Sequence, residues 1–258
     1  MRDPAELAAM RVSGRLLASV FEMLDGIDLA GRSTLAINDM VERFITHDLA
    51  ARPASKGQYG FAFVLNSSPN AVVCHGVPAA DVVIAEGDIV NLDITLEKDG
   101  LIADSSKTYV VGDAPPAARR LVRVAQEAMW QGIAAVRPGG HVGDIGHAID
   151  GHARRHGYSV VREYCGHGIG RAMHEEPQVP GFGRPGTGPR LEPGMTFTVE
   201  PMLNQGTRRT KTLDDGWTVV TADGRLSAQF EHTVAVTDSG VEVLTLRCDE
   251  RLPPALRR

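Results

Sequence analysis

Two stretches of this sequence align with each other: GDIVNLD (87–93) falls on GMTFTVE (194–200) at a constant offset of 107. Upstream, GRSTLAI (31–37) falls on GGHVGDI (139–145) at an offset of 108, with Thr34 on Val142. A chain repeated at this spacing folds as two related units, each giving two helices and then a segment of sheet. Helices are predicted over about 4–25, with Asp3 as N-cap and Pro4 in the first turn, and over 33–51 behind Ser33. After Asp113-Ala-Pro-Pro a third helix runs to about 136, Pro138-Gly139-Gly140 stops it, and a fourth covers roughly 142–157. No low-complexity linker separates the halves. The expectation is therefore one domain over 1–258, with halves at about 4–112 and 113–247 and a loose tail over 248–258.

Each aligned segment ends on an acid, Asp93 or Glu200. Two more acids and an imidazole stand in equally constrained settings. In the run 86–112 two apolar-alternating segments flank Asp99-Gly100, a strong hairpin signal. With those as turn residues, Lys98 faces Leu101 and Thr95 faces Asp104. Asp93 lies two residues from Thr95, on the same face, so Asp93 and Asp104 become diagonal neighbours, about 7–8 Å apart at the backbone. A strand this rich in Ile, Val and Leu does not bury two unpaired aspartates without cost. Glu200 and Glu231 are both predicted on strands, in MTFTVEPML (195–203) and LSAQFEHTVAVT (226–237). His167 sits among glycines in CGHGIG, which let the backbone approach closely and present the ring. Four carboxylates at one point repel one another unless cations intervene, and a histidine among hard oxygens tilts such a site toward transition metals.

Other chemistries lose their support. GHGIGR has Arg171 where a dinucleotide fingerprint needs Gly, and Gln178 stands where a zinc H-E-x-x-H needs its second His. Neither a phosphate-binding G-x-x-x-x-G-K-[ST] nor a G-x-S-x-G nucleophile turn occurs. The net charge of −5 from 27 basic and 32 acidic residues gives no direct nucleic-acid signal. No apolar run long enough for a membrane span or leader is present. Three cysteines, Cys74, Cys165 and Cys248, make no C-x-x-C and fit a reducing compartment; Cys74 and Cys165 read as small buried residues. A cytoplasmic location is expected.

The motifs VVCHGVP (72–78), NLDITLEKDGLIADSSKTYVVG (91–112), YCGHGIGRAMHEEPQV (164–179), FTVEPML (197–203), DDGWTV (214–219) and AQFEHTVAVT (228–237) resemble those of type I methionine aminopeptidases, over roughly residues 4–247. The resemblance implies the α+β pita-bread fold: an internally duplicated antiparallel sheet covered by two pairs of helices around a central dinuclear metal site. It also implies removal of the initiator methionine from nascent chains with a small second residue.

Carried over by position, Asp104 and Glu231 bridge two divalent ions, His167 and Glu200 complete one and Asp93 the other. The ligand types admit Co, Mn, Fe, Zn or Ni. Two such ions activate a water between them and polarise the substrate carbonyl, with Glu200 as the base. By resemblance His174 donates to the developing oxyanion and His75 bonds the backbone near the scissile amide. Phe61, Met173 and Trp217 match the thioether slot, with Gln58 and Asn66 on its rim. Many relatives carry aromatics at the positions of Gln58 and Met173 and a Cys at that of Asn66, so this chain departs from the pattern at residues that set the tightness and selectivity of the pocket. Asn70, Val72 and Ser227 match positions that bind a monovalent cation in some relatives. The expected partners are nascent N termini and the ribosome that presents them, and the expected state is a monomer.

Two alternatives share this fold. A prolidase or Xaa-Pro aminopeptidase uses the same five, but such relatives usually carry an N-terminal domain ahead of the first helix; cleavage of Met-Gly-Met against Gly-Pro separates the readings. A non-enzymatic binding module of the same fold would purify without stoichiometric metal.

Overall fold

The computed structural model describes residues 1–256. Helix α1 spans Pro4–Asp25: the Asp3 side chain accepts from the Ala5 and Glu6 amides and Glu6 reaches back to the Asp3 amide, a reciprocal cap that fixes where it starts. Helix α2 spans Thr34–Arg43, capped by Ser33. It is shorter than the predicted 33–51, because its last turn widens over Phe44–Asp48, where the Leu49 amide reaches back five residues to the Phe44 carbonyl. Helices α3 (Pro116–Ala134) and α4 (Val142–Arg155) form the second pair.

The main sheet has nine strands. Six position the site: β1 (Ile89–Lys98), β2 (Leu101–Val110), β3 (Gly166–Gly168), β4 (Glu175–Val179), β5 (Thr196–Val199) and β6 (Glu231–Thr237). They follow in the order β1-β2-β6-β5-β3-β4 with every pairing antiparallel. Short strands at Arg52–Pro53 and Leu65–Pro69 pair with β1, and Gly240–Val243 pairs with β6. The β1–β2 hairpin has the predicted register, with Lys98 opposite Leu101 and Thr95 opposite Asp104. Its turn places Asp99 and Gly100 at φ of 54° and 79°, as an Asp-Gly turn requires.

Side-chain alternation divides the molecule. From β1, Val90, Leu92, Ile94 and Leu96 pack with Leu17, Phe21, Leu24, Ile37 and Val41 of the first helix pair. From the second half, Phe197, Val199, Val234 and Val236 pack with Leu121, Ala125, Ile133, Ile145 and Ile149 of α3 and α4. The residues matched by the 107-residue offset, Val90 with Phe197 and Leu92 with Val199, both face their own helix pair. Because strand side chains alternate, Asn91, Asp93 and Thr95, Thr196 and Thr198, and Glu231 and Thr233 are sent to the opposite face.

Two expectations need correction. Strand β5 ends at Val199, so Glu200 stands one residue beyond it, ahead of Pro201, which has no amide to donate to a ladder. The tail is not loose as far as Leu256: Leu252 and Leu256 pack against the larger core, and the Glu250 side chain is buried, 3.0 Å from His232 Nε2 and 2.9 Å from the guanidinium of the fully buried Arg247. Arg257 and Arg258 lie outside the described residues.

Candidate active site

A cavity of about 520 Å³ opens on the face of the sheet away from the helices, and Asp93, Asp104, His167, Glu200 and Glu231 all line it. Strand pairing brings them together. Asp104 is held by Thr95 Oγ1, which donates to its Oδ1 at 3.0 Å. Asp93 lies opposite Ser106 on β2 and opposite Asn66 on the neighbouring strand, and the Asn66 side chain hydrogen-bonds to it. Thr198 Oγ1 donates to Glu200 Oε1 at 2.6 Å while accepting from the His167 amide at 3.0 Å. One hydroxyl thus registers the β3 histidine against the glutamate.

The glycines around His167 serve close approach. A Cβ at Gly166 would collide with the Thr198 carbonyl, and one at Gly168 with the Glu176 carbonyl. His167 Nδ1 lies 3.1 Å from the Gly168 carbonyl, and with its proton donated there the Nε2 lone pair points inward, 3.5 Å from Glu200 Oε1 and 3.9 Å from Asp104 Oδ2. A lone pair aimed at carboxylate oxygens is repulsive without a cation between them.

The electrostatics make the same demand. Burial pushes Asp93 up to about 6 and Glu200 up to about 8. Asp104 and Glu231 are raised well above the carboxylate range, by burial first and then by the neighbouring acids. Burial, with help from His174, lowers His167 to about 4, so its imidazole is neutral and free to ligate. Glu231 Oε1 is fully buried with no hydrogen-bond partner, and ligand atoms of Asp104, His167 and Glu231 all lie within 4.8 Å of one another. The donor set fits divalent cations.

Along the walls, Phe61 and Trp217 meet at 5.0 Å between ring centres, with Gln58 and Asn66 beside them. The Asp215 carboxylate accepts from the amides of Trp217 and Thr218 and so fixes the Trp217 turn. The His174 ring stands edge-on to His167 at 4.3 Å, and His75, held at φ 55°, stands edge-on to Tyr164 at 5.2 Å. Met173 departs from expectation: it does not line the cavity. Its side chain is buried with Met10, Leu101, Ile169 and Leu244, an apolar cluster on the other side of the segment from His174, and its backbone instead hydrogen-bonds to the His167 ring.

Several lining residues were not expected. Tyr59, at φ 50°, stacks on His174 at 5.8 Å with its hydroxyl 3.3 Å from Nδ1; an aromatic bracketed by Gly57 and Gly60 was the available signal. Glu175, Tyr164 and Gln229 line the cavity, as do Cys74 and the half-buried Cys165. Asn70 and Ser227 meet where the Ser227 amide donates to the Asn70 carbonyl at 2.9 Å. The buried Ser227 hydroxyl has no partner.

A duplicated antiparallel sheet enclosing four buried carboxylates and a neutral histidine defines a metallopeptidase of the pita-bread fold, and residues 7–238 match metallopeptidase family M24. Methionine aminopeptidase A of Synechocystis is 48% identical over 241 residues, 93% of this chain and 95% of that protein. The structure of methionine aminopeptidase from Rickettsia prowazekii superposes with a TM-score of 0.92 at 45% identity, covering 95% of this chain and 99% of the other. The prolidase of Thermococcus sibiricus shares the fold, with a TM-score of 0.77, but at 23% identity and over 97% of this chain and 61% of its own. The chain belongs to the methionine aminopeptidases of family M24.

Proposed function

We infer that this enzyme removes the N-terminal methionine from peptides and newly made proteins whose second residue is small. The observation that carries the reading is a hydrolytic ligand cluster at one wall of a cavity whose other wall is the Phe61–Trp217 pair. Asp93, Asp104, His167, Glu200 and Glu231 are the residues that would hold two divalent ions. When bound, such ions lower the pKa of water and polarise the scissile carbonyl.

The remaining work falls to side chains. Glu200, its Oε1 engaged by Thr198, takes the proton from water and passes it to the leaving nitrogen. His174 donates to the oxyanion from Nε2 while Tyr59 meets its Nδ1. His75 bonds the peptide backbone beside the scissile amide. Phe61 and Trp217 grip the thioether, a sulfur–aromatic contact of about 0.3–1.5 kcal/mol, and Gln58 and Asn66 border that slot. Met173 supports the pocket through the His167 loop.

The choice among Co, Mn, Fe, Zn and Ni belongs to supply and affinity together. The unpartnered Ser227 hydroxyl supports a monovalent cation near Asn70, Val72 and Ser227. The enzyme works as a monomer in the cytoplasm on chains emerging from the ribosome. Among the described residues no helix is long and apolar enough to cross a membrane.

Hydrolysis of Met-Ala-Ser by enzyme reloaded with each metal, against the same enzyme in chelator, tests the reading. Metal-dependent release of methionine is expected. Faster cleavage of Gly-Pro than of Met-Ala-Ser would overturn it.

A further inference from the structure

We propose that Glu127, His152 and His156 form a second transition-metal site, separate from the catalytic cavity, that takes one ion of the Zn²⁺ or Ni²⁺ class and clamps α3 to α4. Glu127 lies on α3; His152 is in the last turn of α4 and His156 is its C-cap. Residues four apart on a helix share a face, so both imidazoles look toward α3. His152 Nε2 is 3.1 Å from Glu127 Oε2, a ligand-to-ligand spacing suited to two donors at about 2.0–2.2 Å from one metal. The two rings lie 4.6 Å apart at 43°. One ligand atom from each of the three residues falls within 4.8 Å of the others, as do those of Asp104, His167 and Glu231 in the catalytic cluster. None of the three lines the cavity.

The chemistry selects the ion. Burial holds His152 below the usual histidine range, so its nitrogen is neutral and able to ligate. The negative end of the α4 dipole favours a cation there. Yet arginines surround the group: Arg123 lies 4.0 Å from Glu127 Oε1, Arg120 donates to the His156 carbonyl at 3.0 Å, and Arg155 acts on His152. A hard ion held by charge alone, such as Mg²⁺ or Ca²⁺, is repelled by that surround. An ion bound through two imidazole nitrogens and one carboxylate tolerates it. The Glu127 side chain is 41% exposed and His152 11%, which leaves the outer side open for water to complete the coordination.

The test is metal stoichiometry. Chelated full-length protein, His156→Gln and Glu127→Gln are each titrated with Zn²⁺ and, separately, Ni²⁺, then desalted and analysed for bound metal and for melting temperature. Wild type is expected to hold one equivalent more than either variant and to gain a further rise in melting temperature that both lack, with Mg²⁺ giving no such rise. The two substitutions lie on different helices, so a folding defect in one leaves the other to decide. Equal stoichiometry and equal thermal shifts in wild type and a folded variant overturn the proposal. Methionine release serves as the control: if the variants retain it while losing the extra equivalent, the catalytic reading stands whatever becomes of this site.

Discussion

Arg2 forms an ion pair with Glu175 across 173 positions of sequence, and Glu175 lines the cavity immediately after His174. The other oxygen of Glu175 accepts from the Arg171 and Ala172 amides at 3.0 and 3.1 Å, and the Arg2 amide is anchored to the Gly194 carbonyl at 2.7 Å. The start of the chain therefore ties down the loop that presents His174. Arg2→Ala should leave Glu175 without its counter-charge and lower kcat by about 3- to 30-fold through misplacement of His174, with little change in KM, and Arg2→Lys should restore most of it. Unchanged kcat in Arg2→Ala would show that the loop holds its shape unaided.

Replacing His167 with Ala removes the one nitrogen from the proposed ligand cluster. Metal affinity should fall at least about tenfold, since even residues behind the ligands cost 10–100-fold, and methionine release should fall with it. Calorimetric titration of the chelated variant checks this; full occupancy with normal turnover would refute the ligand assignment.

Glu200→Gln keeps an oxygen for coordination and the hydrogen bond from Thr198, but cannot accept a proton from water. The expected outcome is a kcat lower by about 10²–10⁴ with substrate binding retained. Steady-state kinetics beside equilibrium binding of a methionine-containing inhibitor separates the two roles.

The clustered acids make the stability of chelated protein depend on pH. Their folded values are raised, Asp93 to about 6 and Glu200 to about 8, with Asp104 and Glu231 also raised. Their contribution is therefore fully present below the unfolded carboxylate range near 4 and is lost as pH rises through about 6 and then about 8. Chelated enzyme should melt at a lower temperature at pH 8.5 than at pH 6. Added Mn²⁺ or Co²⁺, which binds the ionised forms, should shrink or reverse the difference. A melting temperature that climbs from pH 6 to 8.5 in chelator would contradict the raised values.

Much of this protein was legible in its sequence because the signals are local or periodic. Asp99-Gly100 set a hairpin whose register is forced by side-chain alternation, so the facing of Thr95 and Asp104 followed from a turn type and a period of two. Asp3-Pro4 and Ser33 marked helix starts because capping is decided within four residues. The 107-residue offset placed Asp93 and Glu200 at equivalent positions, and their need for a common cation made convergence the economical reading. Tertiary structure alone decided what depends on residues distant in sequence. Met173 and His174 are adjacent, yet one packs against Met10 and Leu244 while the other faces the cavity, a partition set by neighbours that no local pattern names. Tyr59 reaches His174 and Arg2 reaches Glu175 only because the sheet folds their segments together. Glu250 is held in the tail by the buried Arg247 guanidinium and by His232 Nε2, a partnership that exists only after burial has removed water as the competing partner.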